Sequence, residues 1–445
     1  MKPETLIKSL IWLYVALLIF EGALRKWVLP GLSDALLVVR DPVVILIYLL
    51  ALGQARFPFN GWLTMALALA CASLCGSFLA GQDNVYVTLY GLRTNYMHLP
   101  LIWVMANVLT RRDVERICQA LLLLAIPMTG LMVLQYNASP TDYINRGVGT
   151  DEGMGQIYGA LGHIRPPGFF SFITGPNLFY PLVTGLLFAQ LHARRRLWWP
   201  LLALCGMAIA IAIPVSISRA LFVASAMVGA VYLVSLLRTG FLNKGVLRLA
   251  LIGAVVLVGL GYLPIFDSAR EAFLSRWVTA ASGNAVGIDS VTDRVFGGGD
   301  YLADVLSQTT LFGHGIGMGS SVAAKLTTGQ VGFLLAENEW AKVLLELGLV
   351  LGLAFLAYRF VLALAISWRS VQWWWAERDA LPLLLTSASV IPILSGQWAQ
   401  PTILGFTVVG SGLALGAMQH EEDDEDLGED DHLEEDDHDV AEDST

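Results

Sequence analysis

The chain has 445 residues, of which 56% are hydrophobic and only 14% are charged, and its mean hydropathy is +0.62. A soluble protein of this length would need far more charge on its surface, so the composition excludes a soluble enzyme and predicts a polytopic membrane protein. The net charge is −10, but residues 421–443 alone contribute −16, so the rest of the chain carries +6.

Apolar runs long enough to cross a bilayer, which takes about 20 residues in a helix, recur along the whole chain. We therefore predict an all-α polytopic membrane protein of about twelve transmembrane helices. The runs lie at about 7–24, 35–53, 61–81, 89–109, 115–135, 174–192, 197–215, 219–237, 246–265, 339–366, 380–397 and 401–418.

The connections between these runs alternate in charge, and one set is rich in lysine and arginine, which are typical of cytoplasmic loops. This set holds Lys2, Lys8, Arg56, Arg111, Arg112, Arg116, Arg194, Arg195, Arg196, Arg238, Lys244, Arg248, Arg369 and Arg378. We therefore predict that both termini are cytoplasmic. Arg25 and Lys26 fall on the opposite side, where they would anchor the first helix.

Two connections are longer than ordinary loops, and both face outward in this topology: about 136–173 and about 266–338. Loops of such length are usually functional. Within the second, residues 300–310 have the apolar spacing of a helix, which predicts an interfacial helix.

The second long loop ends in a junction with a membrane helix. Its glycine-rich run, Gly313–Gly319, is not expected to form a regular helix, because ordering alternate glycines costs too much backbone entropy. Glu337, Asn338 and Glu339 follow, directly before the apolar run at 340–359. Carboxylates at such a boundary need partners from the surrounding protein, so we predict that this junction is the functional site.

Several arginines lie near the predicted outward face. Arg93, Arg165 and Arg219 stand at or just before the fourth, sixth and eighth runs, and Arg40 lies beside Asp41 in the second. For Arg40 an internal pair with Asp41 or another acid remains open, and for Arg93 and Arg219 so does snorkelling toward the interface. Guanidinium groups match phosphate oxygens, so several arginines on one face predict an anionic ligand such as a lipid diphosphate.

The sequence has no nucleotide-binding loop and no helix with paired zinc ligands. Cys71 and Cys75 stand one helical turn apart without a histidine or another cysteine nearby, so we predict small core residues there rather than a metal site. No metal and no cofactor are therefore predicted. The acidic tail at 421–445 is predicted to be a disordered cytoplasmic segment that follows a transmembrane domain at 1–420.

Four motifs follow one another between about residues 90 and 420. They are Arg165-Pro-Pro-Gly-Phe-Phe with Gly175-Pro176-Asn177; Ser216-Ile-Ser-Arg219-Ala; Arg294 followed by Leu311-Phe-Gly-His-Gly-Ile-Gly; and Asn338 with Leu344-Leu-Glu346-Leu-Gly348-Leu-Val-Leu-Gly352. In this order, on a chain of about twelve spans, they resemble the motifs of the O-antigen ligase and O-antigen polymerase superfamily. Those multispan enzymes act on glycans linked to undecaprenyl diphosphate.

The resemblance implies a GT-C-like fold with two periplasmic loops in the bacterial inner membrane. It also implies a metal-independent inverting glycosyltransferase in which Arg219 engages the diphosphate. The implied partners are an undecaprenyl-diphosphate-linked glycan donor, a glycan or lipid acceptor, the lipid bilayer and other polysaccharide-assembly proteins, but no nucleic acid. Together with the arginines on the outward face, it predicts substrate binding by Arg93, Arg165, Asn177, Arg294 and Asn338.

The chain departs from the family pattern at one position. The family usually has a histidine, assigned as the catalytic base, immediately before the asparagine, and this chain has Glu337 there. A carboxylate can also deprotonate an acceptor hydroxyl, and His314 earlier in the loop is the alternative base. A divergent, inactive member is a third interpretation.

Polymerase and ligase differ in their acceptor, and the motifs do not separate them. Two other functions compete with glycosyl transfer: a transporter or flippase of polysaccharide precursors, and a non-catalytic assembly subunit. The charged residues are concentrated toward the predicted outward face, and the sequence has no convincing internal repeat. Both observations argue against the transporter.

Overall fold

The computed structural model describes residues 3–148, 156, 158–191, 193, 197–239, 267–282, 299–329, 334–336 and 338–419. Several predictions therefore concern residues outside the described ones: the apolar run at 246–265, Arg294, Glu337, the acidic tail at 421–445, and, of the basic set, Lys2, Arg194, Arg195, Arg196, Lys244 and Arg248.

The described part of the chain consists almost entirely of helices. The α-helices are α1 (Pro3–Ala23), α2 (Ser33–Leu36), α3 (Arg40–Gly53), α4 (Gly61–Leu79), α5 (Val85–Leu92), α6 (Pro100–Val108), α7 (Arg111–Asn137), α8 (Thr174–Gln190), α9 (Trp199–Val215), α10 (Arg219–Thr239), α11 (Asp267–Ser282), α12 (Gly299–Gln308), α13 (Ser321–Thr328), α14 (Glu339–Glu377), α15 (Leu381–Ser395) and α16 (Pro401–Gly416). Two π-helical turns, Leu24–Val28 and Arg93–Met97, follow α1 and α5, and 3₁₀ turns occupy Pro30–Leu32 and Tyr143–Asn145.

Six helices of the described residues are long and apolar enough to cross a membrane, which confirms the prediction of an all-α membrane protein. The number of twelve spans stays a prediction. The six segments are Glu4–Val28, Pro30–Gly53, Gly61–Leu79, Arg111–Asn137, Arg219–Leu236 and Glu339–Glu377, and shorter apolar helices occupy Trp199–Val215, Leu381–Ser395 and Pro401–Gly416.

Helix α16 is the centre of the packed bundle, because every residue from Ile403 to Gly416 is buried. It packs against α6, α8 and α15, and α15 in turn packs against α14. Large apolar side chains on the outer helices remain exposed, among them Leu49, Leu67, Leu353 and Leu364. An apolar outer surface around a packed interior is what a lipid environment requires.

The two cysteines of α4 correct one prediction. Cys71 and Cys75 are exposed, so their assignment as core residues is wrong, whereas Cys118 and Cys205 are buried. The buried side of α4 carries small and hydroxyl residues, among them Ser73, Gly76 and Ser77, and the two cysteines lie away from it. No group of three or more potential metal ligands occurs among the described residues.

The two long connections, at about 136–173 and about 266–338, contain regular structure among their described residues. In the first, strands β1 (Tyr158–Ala160) and β2 (His163–Ile164) form an antiparallel hairpin whose tight turn holds Leu161 and Gly162 at positive φ. In the second lie helices α11, α12 and α13, and α12 confirms the helix predicted at 300–310.

Candidate active site

Helix α14 is interrupted at Gly348, whose backbone is at φ 77° and ψ 179°. This conformation suits glycine and not other residues, because a Cβ atom would meet backbone in the left-handed region. A Cβ at Gly348 would also overlap the Leu311 carbonyl and lie 2.5 Å from the Gly313 nitrogen. The glycine is therefore required both by the break and by the loop that approaches it.

The glycine-rich loop, Gly313–Gly319, and Thr310 shortly before it supply the hydrogen bonds that the interrupted helix lacks. Backbone groups at membrane depth must be paired within the protein, so a helix break needs such a partner. The bonds run from His314 N to the Leu345 carbonyl (2.8 Å), from Gly315 N to the Glu346 carbonyl (2.9 Å) and from Leu349 N to the Thr310 carbonyl (3.1 Å).

Two further contacts hold the same loop. At its end, Gly319 N donates to the buried Glu346 carboxylate over 2.6 Å. On its other side, Gly317 packs against Gly91 of α5 so closely that a Cβ at Gly91 would lie 2.5 Å from the Gly317 nitrogen. The loop is thus held between α5 and the break in α14, and the exposed side chain of His314 lies at this junction.

Four charged residues of α14 form a buried cluster, which we call the α14 charge cluster: Glu339, Lys342, Glu346 and Arg359. Lys342 Nζ lies 2.7 Å from one Glu339 oxygen, and Arg359 Nη1 lies 2.8 Å from the other. Two acids and two bases balance, so the cluster is neutral in total. Such balance is what allows four charges to remain buried in a membrane protein.

All three nitrogens of the Arg359 guanidinium have hydrogen-bond partners. Its Nε donates to the Ile393 carbonyl and its Nη2 to the Gly396 carbonyl, each over 2.7 Å. The guanidinium also lies over the ring of Trp398, 4.1 Å from the centroid. Arg359 therefore ties α14 to the end of α15 and to the connection that follows it.

Sequence reasoning missed Lys342 and Arg359 as members of this site. The spacing i, i+3 from Glu339 to Lys342 and i, i+4 from Lys342 to Glu346 places the three on one helical face, and this could have indicated an ion cluster. An arginine inside an apolar run is a second such signal, because it needs a partner within the protein.

Arg93 is engaged by an acid of the protein. Its Nε and Nη2 both contact the Asp41 carboxylate, with 3.0 Å from Nη2 to Oδ1, and Nη2 also donates to the Leu37 carbonyl. Asp41 has a second partner in the buried His98, whose Nε2 lies 3.1 Å from Oδ1. Arg93 thus stands in an internal ion pair beside α5, the helix that packs on the glycine-rich loop.

Arg40 forms an internal ion pair, as one of its two interpretations from the sequence predicts, and its acid is not Asp41. Its Nε lies 3.3 Å from Glu21, and its Nη2 donates to the Pro401 carbonyl over 2.6 Å. Neighbouring residues of a helix point in different directions, which explains why Arg40 and Asp41 take different partners.

Arg165 and the Ser216–Arg219 motif meet at the β-hairpin. A Cβ at Gly159 would lie 2.9 Å from Ile217 and 3.2 Å from the Arg165 side chain. Ser218 Oγ accepts from Leu221 N at the start of α10, so the serine caps the helix that Arg219 begins. Both arginines are partly exposed.

Asn338 and Asn177 lie at helix starts. Asn338 is the N-cap of α14, where its side chain accepts from Trp340 N and Ala341 N over 2.9 and 3.3 Å. Asn338 therefore stabilises the start of α14 at the junction. Asn177 lies half-buried in the first turn of α8.

The end of α1 contacts two parts of the protein, the segment that follows Arg165 and the side chain of Arg40. Lys26 Nζ donates to the Gly168 carbonyl over 2.8 Å, and Arg25 donates to Ser171, so both bind the segment that follows Arg165. Glu21, one turn earlier, binds Arg40 beside the Asp41–Arg93 pair.

The chain matches no model of a known protein family and no curated protein sequence.

Replacing Gly348 with alanine should lower both stability and any activity of the junction. A left-handed backbone costs roughly 1–2 kcal/mol for a residue with a Cβ, and the overlap with Leu311 adds to this. The matched control is Gly130→Ala, since Gly130 lies within α7 with open space around it. Thermal unfolding of both purified variants checks the prediction, and equal melting temperatures would contradict it.

Proposed function

We propose that the protein is a membrane glycosyltransferase of bacterial surface polysaccharide assembly. It polymerises or ligates a glycan carried on undecaprenyl diphosphate, at the periplasmic side of the inner membrane. The observation that carries the proposal is the interrupted helix α14, whose free carbonyls bind the glycine-rich loop and place His314 at the junction. The four motifs in sequence, with arginines on the same predicted face, support the choice of substrate.

In the proposed reaction the acceptor hydroxyl oxygen bonds to the anomeric carbon of the donor sugar. The bond from that carbon to the diphosphate oxygen breaks at the same time, on the opposite face, so the configuration inverts. The hydroxyl proton passes to the Glu337 carboxylate or to the His314 imidazole. The diphosphate leaves with the electron pair, and its new charge is stabilised by Arg219.

Arg93, Arg165, Asn177, Arg294 and Asn338 complete the proposed site as substrate-binding residues. The partners inside the protein are defined for Arg93 and Asn338. Arg93 binds Asp41, and the Asn338 side chain caps α14. In the proposal these two residues shape the site. Arg165 lies near the Arg219 motif, because Gly159 of the hairpin packs against both Arg165 and Ile217.

The proposed topology has twelve spans, with both termini cytoplasmic. It predicts that cysteines introduced by Thr150→Cys and Ala285→Cys react with a membrane-impermeant thiol reagent added outside, whereas Arg195→Cys does not. The exposed native residues Cys71 and Cys75 should first be replaced by alanine to remove background labelling. The reverse labelling pattern would place the junction on the cytoplasmic side and contradict the proposed reaction.

Mass analysis of lipid-linked glycans tests the proposed function. Cells that lack the protein should accumulate undecaprenyl-diphosphate-linked glycan, as single repeat units for a polymerase and as long chains for a ligase. The purified protein should release undecaprenyl diphosphate from that material when acceptor is present. An unchanged pool of lipid-linked glycan in the deletion strain would argue against both enzymes.

A transporter of polysaccharide precursors is the second candidate. The interruption of α14 beside a buried charge cluster favours it, because transporters often build their sites from interrupted helices. The purified protein in vesicles separates the two candidates. A transporter would move the lipid-linked glycan across the bilayer without cleaving it, whereas the enzyme would release the diphosphate.

A further inference from the structure

The glycine-rich loop has a third support besides α5 and α14, namely the end of helix α4. Ile316, in the middle of the loop, is completely buried, and its backbone contacts one side chain in the last turn of α4 and one just beyond it. Its N–H donates to Ser77 Oγ over 2.9 Å, and its carbonyl accepts from Gln82 Nε2 over 3.4 Å. Both backbone groups of Ile316 are therefore bound by side chains from outside the loop.

The way in which α4 ends brings these two side chains together. The helix stops at Leu79, and Gly81 takes the left-handed conformation, with φ at 75°. Gln82 N then donates to the Ser77 carbonyl and Gly81 N to the Phe78 carbonyl, each over 3.1 Å. This pair of bonds is the Schellman motif, in which a glycine lets the chain turn back over the last helical turn. The motif therefore holds Ser77 and Gln82 against the same residue of the loop.

The Ser77 hydroxyl is fully used in this arrangement. It donates to the Ser73 carbonyl, one turn earlier in α4, over 2.9 Å, and it accepts from Ile316 N. Gln82 lies equally close to the loop, because a Cβ at Gly315 would overlap its Oε1 atom. Ser77 is only 2% exposed, so loss of its hydroxyl would leave the Ile316 N–H buried without an acceptor, which is costly.

Three other N–H groups of the loop are also bound by oxygens of the protein. His314 N and Gly315 N donate to carbonyls of α14, and Gly319 N donates to the Glu346 carboxylate. These N–H groups therefore hold the loop in place. The side chain of His314, by contrast, is exposed, and it stands two residues before Ile316. Anchoring at Ile316 thus fixes the backbone from which the His314 side chain extends.

We propose that Ser77 and Gln82 are positioning residues, which hold Ile316 and thereby fix His314 for the proposed reaction. The inference rests on the proposed function, because it gives these side chains an effect on turnover through one of the two candidate bases. A base must lie within hydrogen-bond reach of the proton that it removes, and a displacement of about 1 Å costs on the order of 10²-fold in rate. Neither side chain needs to touch the substrate.

Hydrogen–deuterium exchange of the purified full-length protein tests the anchor without any turnover. Ser77→Ala removes the acceptor of the Ile316 N–H, so the peptide that covers residues 313–319 should exchange roughly 5–100-fold faster. Ser77→Thr keeps a hydroxyl at this position and should exchange like the wild type. Ser73→Ala is the matched control, because Ser73 is a buried serine of the same helix whose hydroxyl binds Leu69 and Tyr96 instead.

The kinetics of undecaprenyl diphosphate release separate positioning from a merely structural role. Ser77→Ala should lower kcat about 10–100-fold with KM near the wild-type value, and Ser77→Thr should restore kcat. Because the serine acts through His314, adding Ser77→Ala to His314→Ala should cause no further loss. A double variant that loses the full effect of both changes would show that Ser77 acts independently of His314, and would overturn the proposal.

Gln82→Met is the second variant if Ser77→Ala does not fold. It keeps the length of the side chain but leaves the Ile316 carbonyl without its donor, so it should also speed exchange of the 313–319 peptide. Unchanged exchange in the folded variant would overturn the proposal whether or not glycosyl transfer is found. A wild-type protein that releases no diphosphate would instead contradict the proposed function and the role in turnover, while faster exchange in Ser77→Ala would still support the anchor.

Discussion

Replacing Arg359 with methionine should destabilise the protein by about 3–5 kcal/mol, the usual cost of removing one partner from a buried ion pair. Arg359 is completely buried and holds the Glu339 carboxylate, together with two carbonyls near the end of α15. Methionine fills similar space but leaves one carboxylate in excess and two carbonyls unpaired. The amount of folded protein after detergent extraction, and its melting temperature, measure the effect.

Arg369→Met is the matched control, because Arg369 lies on the same helix but is exposed. It should behave like the wild type. The double variant Glu339→Gln with Arg359→Met should recover part of the loss, since it restores the balance of charge in the cluster. If Arg359→Met were as stable as Arg369→Met, the α14 charge cluster would not contribute to stability.

The helical class of the protein could be predicted because the bilayer imposes it. A chain with so few charges and repeated apolar runs can satisfy its backbone only by forming helices. The predicted runs at 7–24, 61–81 and 115–135 accordingly coincide with membrane-length helices in the structure. The bounds were predictable to within a few residues because they depend on local composition.

The direction in which each membrane helix faces was much harder to predict. In the helix of Cys71 and Cys75, hydropathy is nearly even around the axis, and only the small and hydroxyl residues Ser73, Gly76 and Ser77 mark the buried side. In a soluble protein the polar face would have indicated the orientation. Here orientation is decided by packing against residues far away in the sequence.

The ion pairs show the same limit. Asp41 pairs with Arg93, 52 residues later, and not with its neighbour Arg40. The interruption at Gly348 was missed for a related reason, since the surrounding run, despite Lys342 and Glu346, is apolar enough to predict one continuous helix. The hydrogen bonds that compensate for it come from His314 and Gly315, more than 30 residues earlier. Long-range partners of this kind leave little trace in a single sequence.

The largest expected effects on rate are at Arg219 and Glu337. Arg219→Ala should slow glycosyl transfer by roughly 10²–10³-fold, by analogy with the loss of one donor that stabilises a developing oxyanion. Arg219→Lys should also impair turnover strongly, because lysine keeps the charge but not the fork that contacts two oxygens. The rate of undecaprenyl diphosphate release per folded molecule measures this, and Arg369→Ala, an exposed arginine of α14, serves as the control.

Glu337→Gln keeps the shape of the side chain and removes the base, so we expect a rate loss on the order of 10²–10⁴-fold. The competing interpretation makes Glu337 a partner of a nearby arginine at the start of α14. In that case the glutamine variant would be less abundant, while its folded molecules would turn over normally. Glu377→Gln is the control, because Glu377 is exposed at the far end of the same helix. A near wild-type rate for Glu337→Gln would exclude Glu337 as the base and leave His314, exposed at the loop–helix junction, as the base of the proposed reaction.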